Sequence, residues 1–308
     1  MEVKSSTAIL IVNWETYDFT KSCLISLSHC PKGNFQIIVV DNGSADGSGQ
    51  RLFEEFQSSC TFLFSDSNLG FAGGNNLGLN WAMSRDFDSV LLLNSDTEVN
   101  PDFLVVMLDE LALNPKLGMI QPMIVFMDNP SKIWSAGGKW IPTLGRAKTL
   151  GDRALLKDYV VQNKRLDWAT GCCILITRQA LEYTGLLNED YFAYFEDVEW
   201  SLRCRDAGFE IGFADKAIIY HAAGGSSKKK HSEGTLSHRV FYFHVRNQLW
   251  LVRQRVKGLW IILAIGYHLV RFSAWTIYFS ARLRFKKLKA VLKGVYEGLS
   301  HPIQSHRQ

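Results

Sequence analysis

No Cys-x-x-Cys pair occurs among the six cysteines (Cys23, Cys30, Cys60, Cys172, Cys173, Cys204) of this 308-residue chain, and their density is far below that of a disulfide framework. They read as reduced thiols. The last third of the chain holds no apolar run of the roughly 20 residues that a spanning helix wants; the longest, residues 258–270, already contains Tyr267 and His268. Residues 8–12, the first apolar run, are too short for a secretory leader core, so no export is expected. There is no G-x-G-x-x-G fingerprint either. The spacing of Gly70, Gly73 and Gly74 fails it, and these glycines follow the third predicted strand rather than the first, which disfavours a nicotinamide dehydrogenase. No internal repeat or low-complexity block is present. With 47% hydrophobic and 21% charged residues, disorder and collagen-like structure are excluded as well.

Acid is nearly missing from one end. Residues 226–308 hold 16 Lys and Arg against 2 Asp and Glu, whereas residues 1–225 hold 18 against 28. An acidic body thus carries a basic tail, which could meet nucleic acid or an anionic membrane surface. Trp, Tyr, Leu, Ile and Val lie between the charges and favour the membrane, with no nucleic acid expected. On a helical wheel the polar His268, Arg271, Ser273, Thr276 and Ser280 occupy about half of the circumference, and residues 260–265 are apolar all round. This predicts a helix lying on a bilayer rather than crossing it. Residues 224–234, rich in Gly, Ser and Lys, read as a linker whose Lys228, Lys229 and Lys230 could cover an anionic ligand.

Short β-branched runs alternate with helical patterns over the first 115 residues, the signature of an α/β fold with a mostly parallel sheet. Strands are predicted at 8–13, 36–40, 61–64 and 89–93, with helices at 20–29, near 51–57, at 73–84 and from Asn100-Pro101-Asp102 to Leu113. A strand at 119–126, an irregular stretch at 134–168 and a strand at 172–177 form a second half that looks like a binding face. A helix at 197–207 and two short strands ending at His221 complete it. The expected organisation is a domain over 1–235, divided into halves 1–115 and 116–235, followed by a basic helical region over 236–308.

Ligand sites in open α/β sheets lie beyond the carboxyl ends of strands. There, strand one delivers Asn13, Trp14 and Glu15, strand two delivers Asp41, and strand four delivers Asn94, Ser95 and Asp96. Asp41-Asn-Gly is also good turn chemistry, but three strands converge polar groups on one edge. The segment from Asn68 through Gly70 to Asn75 offers backbone that could approach a phosphate at a helix N-terminus. Asp96, leaving an apolar strand, could hold a hard divalent cation together with diphosphate oxygens, and His221 could supply a second ligand. Glu196-Asp197-Val-Glu199 opens a helix after the aromatic run 191–195. These acids either complement the helix dipole, or one of them, held among aromatics, acts as a general base.

Taken in order, these residues resemble the inverting nucleotide-sugar transferases of glycosyltransferase family 2, with the GT-A fold. The resemblance is carried by Ile-Val-Asn-Trp at 11–14, Val-Val-Asp-Asn-Gly-Ser-Ala-Asp-Gly-Ser at 39–48, Asn-Leu-Gly-Phe-Ala-Gly-Gly-Asn-Asn at 68–76 and Leu-Asn-Ser-Asp-Thr at 93–97. It continues through Gly-Cys-Cys-Ile-Leu-Ile-Thr-Arg at 171–178, Tyr-Phe-Glu-Asp-Val-Glu at 194–199 and His-x-x-Gly-Gly-Ser at 221–226. Within the family the chain looks most like rhamnosyltransferases building bacterial lipid-linked saccharides for cell-surface polysaccharides such as O-antigen or cell wall.

That resemblance implies a role for each matched residue. Asn13, Trp14, Glu15, Asp41, Asn68, Gly70, Asn75, Asn94, Ser95 and Asp96 would bind the nucleotide-sugar, with Trp14 near the base. Asp96 and His221 would hold Mg²⁺ or Mn²⁺, Asp197 would be the catalytic base, and Trp168, Gly171 and Glu196 would lie on the acceptor side. The expected partners are dTDP-rhamnose or a UDP-sugar and a polyprenyl-diphosphate-linked saccharide, at the cytoplasmic face of the plasma membrane. One departure stands out: the family's Asp-x-Asp is here Asn94-Ser95-Asp96, which removes one carboxylate from the metal site. A processive synthase would show Gln-x-x-Arg-Trp after the Glu-Asp motif, and Gln162-Asn-Lys-Arg165-Leu both precedes it and lacks the Trp.

Overall fold

The computed structural model describes residues 6–31, 35–223, 233 and 235–301. Its first half is the expected alternation: β1 (Thr7–Asn13), α1 (Tyr17–Ser28), β2 (Phe35–Asp41), α2 (Ser48–Phe56), β3 (Cys60–Phe64), α3 (Gly70–Met83) and β4 (Ser89–Asn94). Next come β5 (Thr97–Val99), α4 (Phe103–Ala112), β6 (Leu117–Phe126), β7 (Ile133–Ser135), the hairpin β8 (Gly138–Ile141) and β9 (Arg146–Thr149), and β10 (Arg165–Leu166). The chain continues through β11 (Cys173–Thr177), α5 (Arg178–Thr184), α6 (Glu196–Asp206), β12 (Glu210–His221), α7 (His238–Arg255), α8 (Trp260–Ala281) and α9 (Phe285–Ser300).

The main sheet runs β10-β12-β6-β11-β4-β1-β2-β3. Strands β1 to β4 pair in parallel, and β11 enters antiparallel between β4 and β6. Both faces of the sheet are covered, which is why the strand sequences are near-continuous apolar runs rather than alternating ones. Leu10, Ile38 and Leu92 face one core with Leu79 of α3 and Trp200 of α6. Ile9, Ile11, Val39 and Leu93 face the other with Leu24 of α1 and Phe103 of α4. The two short strands predicted before His221 are one strand, β12, broken by a register shift between Ala214 and Ile218.

The basic C-terminal region is built into the molecule. Leu251 of α7 shares a cluster with Trp168, Val198 and Leu202 of the body, and Gln248 Nε2 donates to the Gly145 carbonyl at 2.8 Å. On its other side Val245 and Leu249 meet Phe272 and Phe279 of α8 and Val291 of α9. Helix α8 spans 22 residues, longer than the 13-residue run suggested, and by length and composition is long and apolar enough to cross a membrane. His268 is buried, with its Nε2–H donating to the Leu144 carbonyl at 3.0 Å, and Arg271 Nη1 donates to its Nδ1 at 3.1 Å. His268 therefore serves contacts within the protein, while Leu259, Ile262, Leu263, Val270 and Ile277 point outward together with the exposed Arg271, Ser273 and Ser280. The Lys228 to Lys230 run and the Gly-Gly-Ser part of the motif at 221–226 lie outside the described residues.

Candidate active site

The carboxyl ends of β1, β2 and β4 open on a cavity of about 360 Å³. Of the residues singled out by sequence, Trp14, Asn68, Gly70, Asn75, Asn94, Ser95 and Asp96 line it. Asn13, Glu15 and Asp41 do not. Asn13 is fully buried: its Nδ2 donates to Asp41 Oδ1 (2.8 Å), Ser48 Oγ (3.0 Å) and Ser44 Oγ (3.2 Å), and its Oδ1 accepts from Thr16 and Thr20. Asn13 and Asp41 thus tie the ends of β1 and β2 together. The Glu15 amide donates to Ser44 Oγ at 3.0 Å.

The glycine-rich segment serves close packing. A Cβ on Gly70, whose φ is +75°, would lie 2.4 Å from the Phe192 carbonyl oxygen, and one on Gly74 would lie 3.0 Å from Asn42 Nδ2 and Val12 Cγ1. Asn42, a wall residue that motif reading passed over, fastens the segment. Its Nδ2 donates to the Gly70 carbonyl (3.0 Å) and its Oδ1 accepts from the Leu69 amide (3.0 Å).

Asp96 and His221 come together because β5 doubles back from β4 and pairs antiparallel with the end of β12, setting Thr97 opposite His221. His221 Nε2 stands 3.1 Å from Asp96 Oδ1, both side chains nearly out of solvent, and Trp134 meets the imidazole edge-on at 4.4 Å. Among the described residues His221 Nδ1, which is buried, has no hydrogen-bond partner. The pair fits a divalent cation: a carboxylate and an imidazole suit Mn²⁺ or Mg²⁺, and neighbouring ligands of an octahedral ion at about 2.1 Å stand about 3 Å apart. Among the described residues no group of three or more His, Cys, Asp or Glu forms a metal site, so most of the coordination would come from ligand oxygens.

A second cavity, about 420 Å³, is lined by Trp168, Glu196 and Asp197 together with Trp134, Asp152 and His244. Tyr194 lines both cavities. Gly171 presents its amide to Asp197 Oδ2 at 2.9 Å, and the Val198 amide donates to Oδ1 at 2.8 Å. A Cβ on Gly171 would strike Phe71 at 2.8 Å. Burial pushes both acids upward, Glu196 well above the usual carboxylate range with the Asp197 charge adding to it, and Asp197 less far because these amides favour its charged form. Among the described residues Glu196 Oε2 has no hydrogen-bond partner. Of the two acids, Glu196 is the one whose surroundings favour the protonated form more strongly.

Sequence reasoning missed the contribution of α7. Ser237, Arg239, Val240 and Phe243 close the first cavity, and His244, stacked on Tyr194 at 4.3 Å, closes part of the second. Burial pulls His244 down to about 4, so it is neutral at pH 7. Its only sequence signal was an aromatic-rich helix, which read as part of a membrane-facing tail.

The family model for glycosyltransferase-like family 2 matches residues 5–238. The chain belongs to this family. By family and fold it is a transferase of the glycosyltransferase class. Curated relatives include the low-salt glycan biosynthesis hexosyltransferase Agl10 of Haloferax volcanii, 27% identical over 67% of this chain and 63% of that protein. They also include the N-acetylglucosaminyl-diphospho-decaprenol L-rhamnosyltransferase of Mycobacterium tuberculosis, 26% identical over 87% of this chain and 92% of the relative. A solved structure, GalNAc-T7 with UDP, GalNAc and Mn²⁺, is similar in fold with a TM-score of 0.63 at 15% identity, covering 82% of this chain and 48% of that one. The match to Agl10 thus spans a little under two thirds of that relative. The fold is the expected one, a mostly parallel GT-A sheet flanked by helices.

Proposed function

We propose that this chain transfers a sugar, L-rhamnose from dTDP-L-rhamnose, to a saccharide carried on a polyprenyl diphosphate, with inversion at the anomeric carbon. The observation that carries the reading is the pair of cavities that share Tyr194, with Asp96 on the wall of the first, His221 behind it at 3.1 Å, and Asp197 in the second. The likeness to a decaprenyl-diphosphate rhamnosyltransferase over most of both chains supports this choice of donor and acceptor.

In the first cavity Trp14, Asn68 and Asn94 would receive the nucleotide-sugar. Mg²⁺ or Mn²⁺ held by Asp96 and His221 would neutralise the charge that builds on the leaving diphosphate. Asp197 takes the proton of the acceptor hydroxyl as that oxygen attacks the anomeric carbon. The bond from that carbon to the diphosphate breaks on the opposite face, so configuration inverts. Glu196, whose burial favours its protonated form and whose Oε2 has no partner among the described residues, would hydrogen-bond the acceptor sugar against the indole wall of Trp168.

We also propose that the acceptor is met at an anionic bilayer, at the cytoplasmic face of the plasma membrane. The exposed side of α8 carries Ile262, Leu263, Val270 and Ile277 beside Arg271, and α9 exposes Phe285, Leu292 and Tyr296 interleaved with Lys286, Lys289 and Lys293, a mixture suited to the headgroup boundary.

Calorimetric titration with dTDP, UDP and GDP, each with Mn²⁺ and again with EDTA, tests the donor site. Metal-dependent preference for dTDP is expected. UDP preference would move the donor to a UDP-hexose, and no binding of any of the three would make the chain a non-catalytic member of its family.

A further inference from the structure

The segment that carries the two acids is held in a conformation its own residues disfavour. Phe192, Tyr194 and Phe195 have φ of +62°, +71° and +72°, in the left-handed region where bulky side chains are outliers. Such backbone persists only where the surroundings over-determine it. Phe195 is also the residue that caps α6, and no side chain caps that helix. The directions in which Glu196 and Asp197 leave the turn therefore depend on whatever holds residues 191–195.

What holds them is α7. Asn247 is fully buried, and its Nδ2 donates to three carbonyls of the turn, those of Tyr191 (2.9 Å), Ala193 (2.8 Å) and Tyr194 (2.8 Å). Arg246 Nη2 donates to the carbonyls of Asp190 (2.7 Å) and Tyr191 (3.1 Å), and Arg246 Nε donates to Asn247 Oδ1 at 2.8 Å. The guanidinium itself rests on the Trp250 ring at 4.1 Å. Two adjacent residues of one helix thus supply donors to four carbonyls in five residues of strained chain. A hydrophobic residue at 247 would fill the space as well but would take the side-chain donor from the Ala193 and Tyr194 carbonyls, while Arg246 would still reach those of Asp190 and Tyr191.

We propose that Asn247, braced by Arg246, is a positioning residue of the transferase site: by holding the left-handed turn it sets Asp197 on the Gly171 amide and Tyr194 between the two cavities. This rests on the transferase reading given above. Asn247 does not touch a reacting atom and acts through Asp197. The titratable groups that share the cavity with Asp197 are Glu196 of its own helix, Tyr194 of the turn, Asp152 from the chain after β9 and His244 of α7, and the buried Cys172 thiol lies near it from the chain just before β11. If the turn relaxes, Asp197 loses the Gly171 N–H that favours its charged form, so the acidic limb of the rate profile moves to higher pH.

The test compares wild type with Asn247→Asp, which keeps the volume and removes the amide donors, and with Arg246→Lys, which keeps the charge but loses the planar fork. The transfer rate per folded molecule and its pH profile are measured in all three, with dTDP-rhamnose and a short-chain polyprenyl-diphosphate saccharide. Expected are a loss of at least tenfold and an upward shift of the acidic limb in Asn247→Asp, with a smaller change in the same direction in Arg246→Lys. Should Asn247→Asp fail to fold, Arg246→Lys carries the decision alone. A lower melting temperature with unchanged rate and unchanged pH limb would overturn the proposal. A wild type inactive with dTDP-rhamnose and with UDP-hexoses alike would overturn the transferase reading and this inference with it, whereas an active wild type with insensitive variants overturns the inference alone.

Discussion

Asp197 and Glu196 are consecutive residues with the same functional group, and their surroundings separate them. Backbone amides from Gly171 and Val198 reach Asp197, while one oxygen of Glu196 is buried with no hydrogen-bond partner among the described residues. Asp197→Asn is therefore expected to lower turnover by two orders of magnitude or more, as removal of a general base does, while calorimetric dTDP binding stays near the wild-type value. Wild-type turnover in that variant would move the base to Glu196 or Glu199. His268 offers a prediction of stability instead. Burial and the Arg271 charge pull it down to about 4 from an ordinary 6.5. Between those values the unfolded chain binds a proton that the folded chain does not, so this histidine's contribution is lost as pH falls across that window and changes no further below it. In His268→Gln, which keeps a donor for the Leu144 carbonyl, the melting temperature is expected to fall less steeply between about pH 7 and about pH 4.5 than in wild type.

At the scale of elements, β1 to β4 and the helices between them were legible because a strand buried on both faces leaves an unbroken apolar run and a helix leaves a 3.6-residue pattern. Two pieces that build the site were not. Strand β5 is three residues long, Thr97–Val99, too short for any periodicity, yet it is what sets Asp96 beside His221. Helix α7 has the composition of a basic, aromatic interfacial helix, and nothing local in His244, Arg246 or Asn247 says that they face the body. The candidate site was legible where strand ends converge and illegible where its wall comes from a remote helix. Close approaches between elements are equally non-local. A Cβ on Gly138 of β8 would overlap the Trp168 indole at 1.9 Å, whereas Gly266 of α8 has open space around it. Chemical denaturation should show Gly138→Ala losing about 2 kcal/mol by overpacking and Gly266→Ala gaining up to about 1 kcal/mol from helix propensity. Equal effects would refute the packing account.

At the scale of the molecule, the C-terminal helices expose large apolar side chains, Ile262, Leu263, Val270 and Ile277, beside cationic ones, Arg271, Lys286, Lys289 and Lys293. Flotation with vesicles containing phosphatidylglycerol is expected for the full chain. Ile262→Glu with Ile277→Glu should abolish flotation and leave nucleotide binding unchanged, while reversing Lys286, Lys289 and Lys293 to Glu should weaken it most at low ionic strength. Flotation that survives both sets of changes would assign α8 and α9 a purely internal role.

The family match ends at residue 238, one residue into α7. Arg239, Val240 and Phe243 of the cavity wall and Arg246 and Asn247 of the clamp all lie past that point. Anyone exchanging donor preference between relatives by swapping catalytic segments would therefore join them beyond Arg255. A junction at the family boundary would pair one parent's base with the other parent's brace.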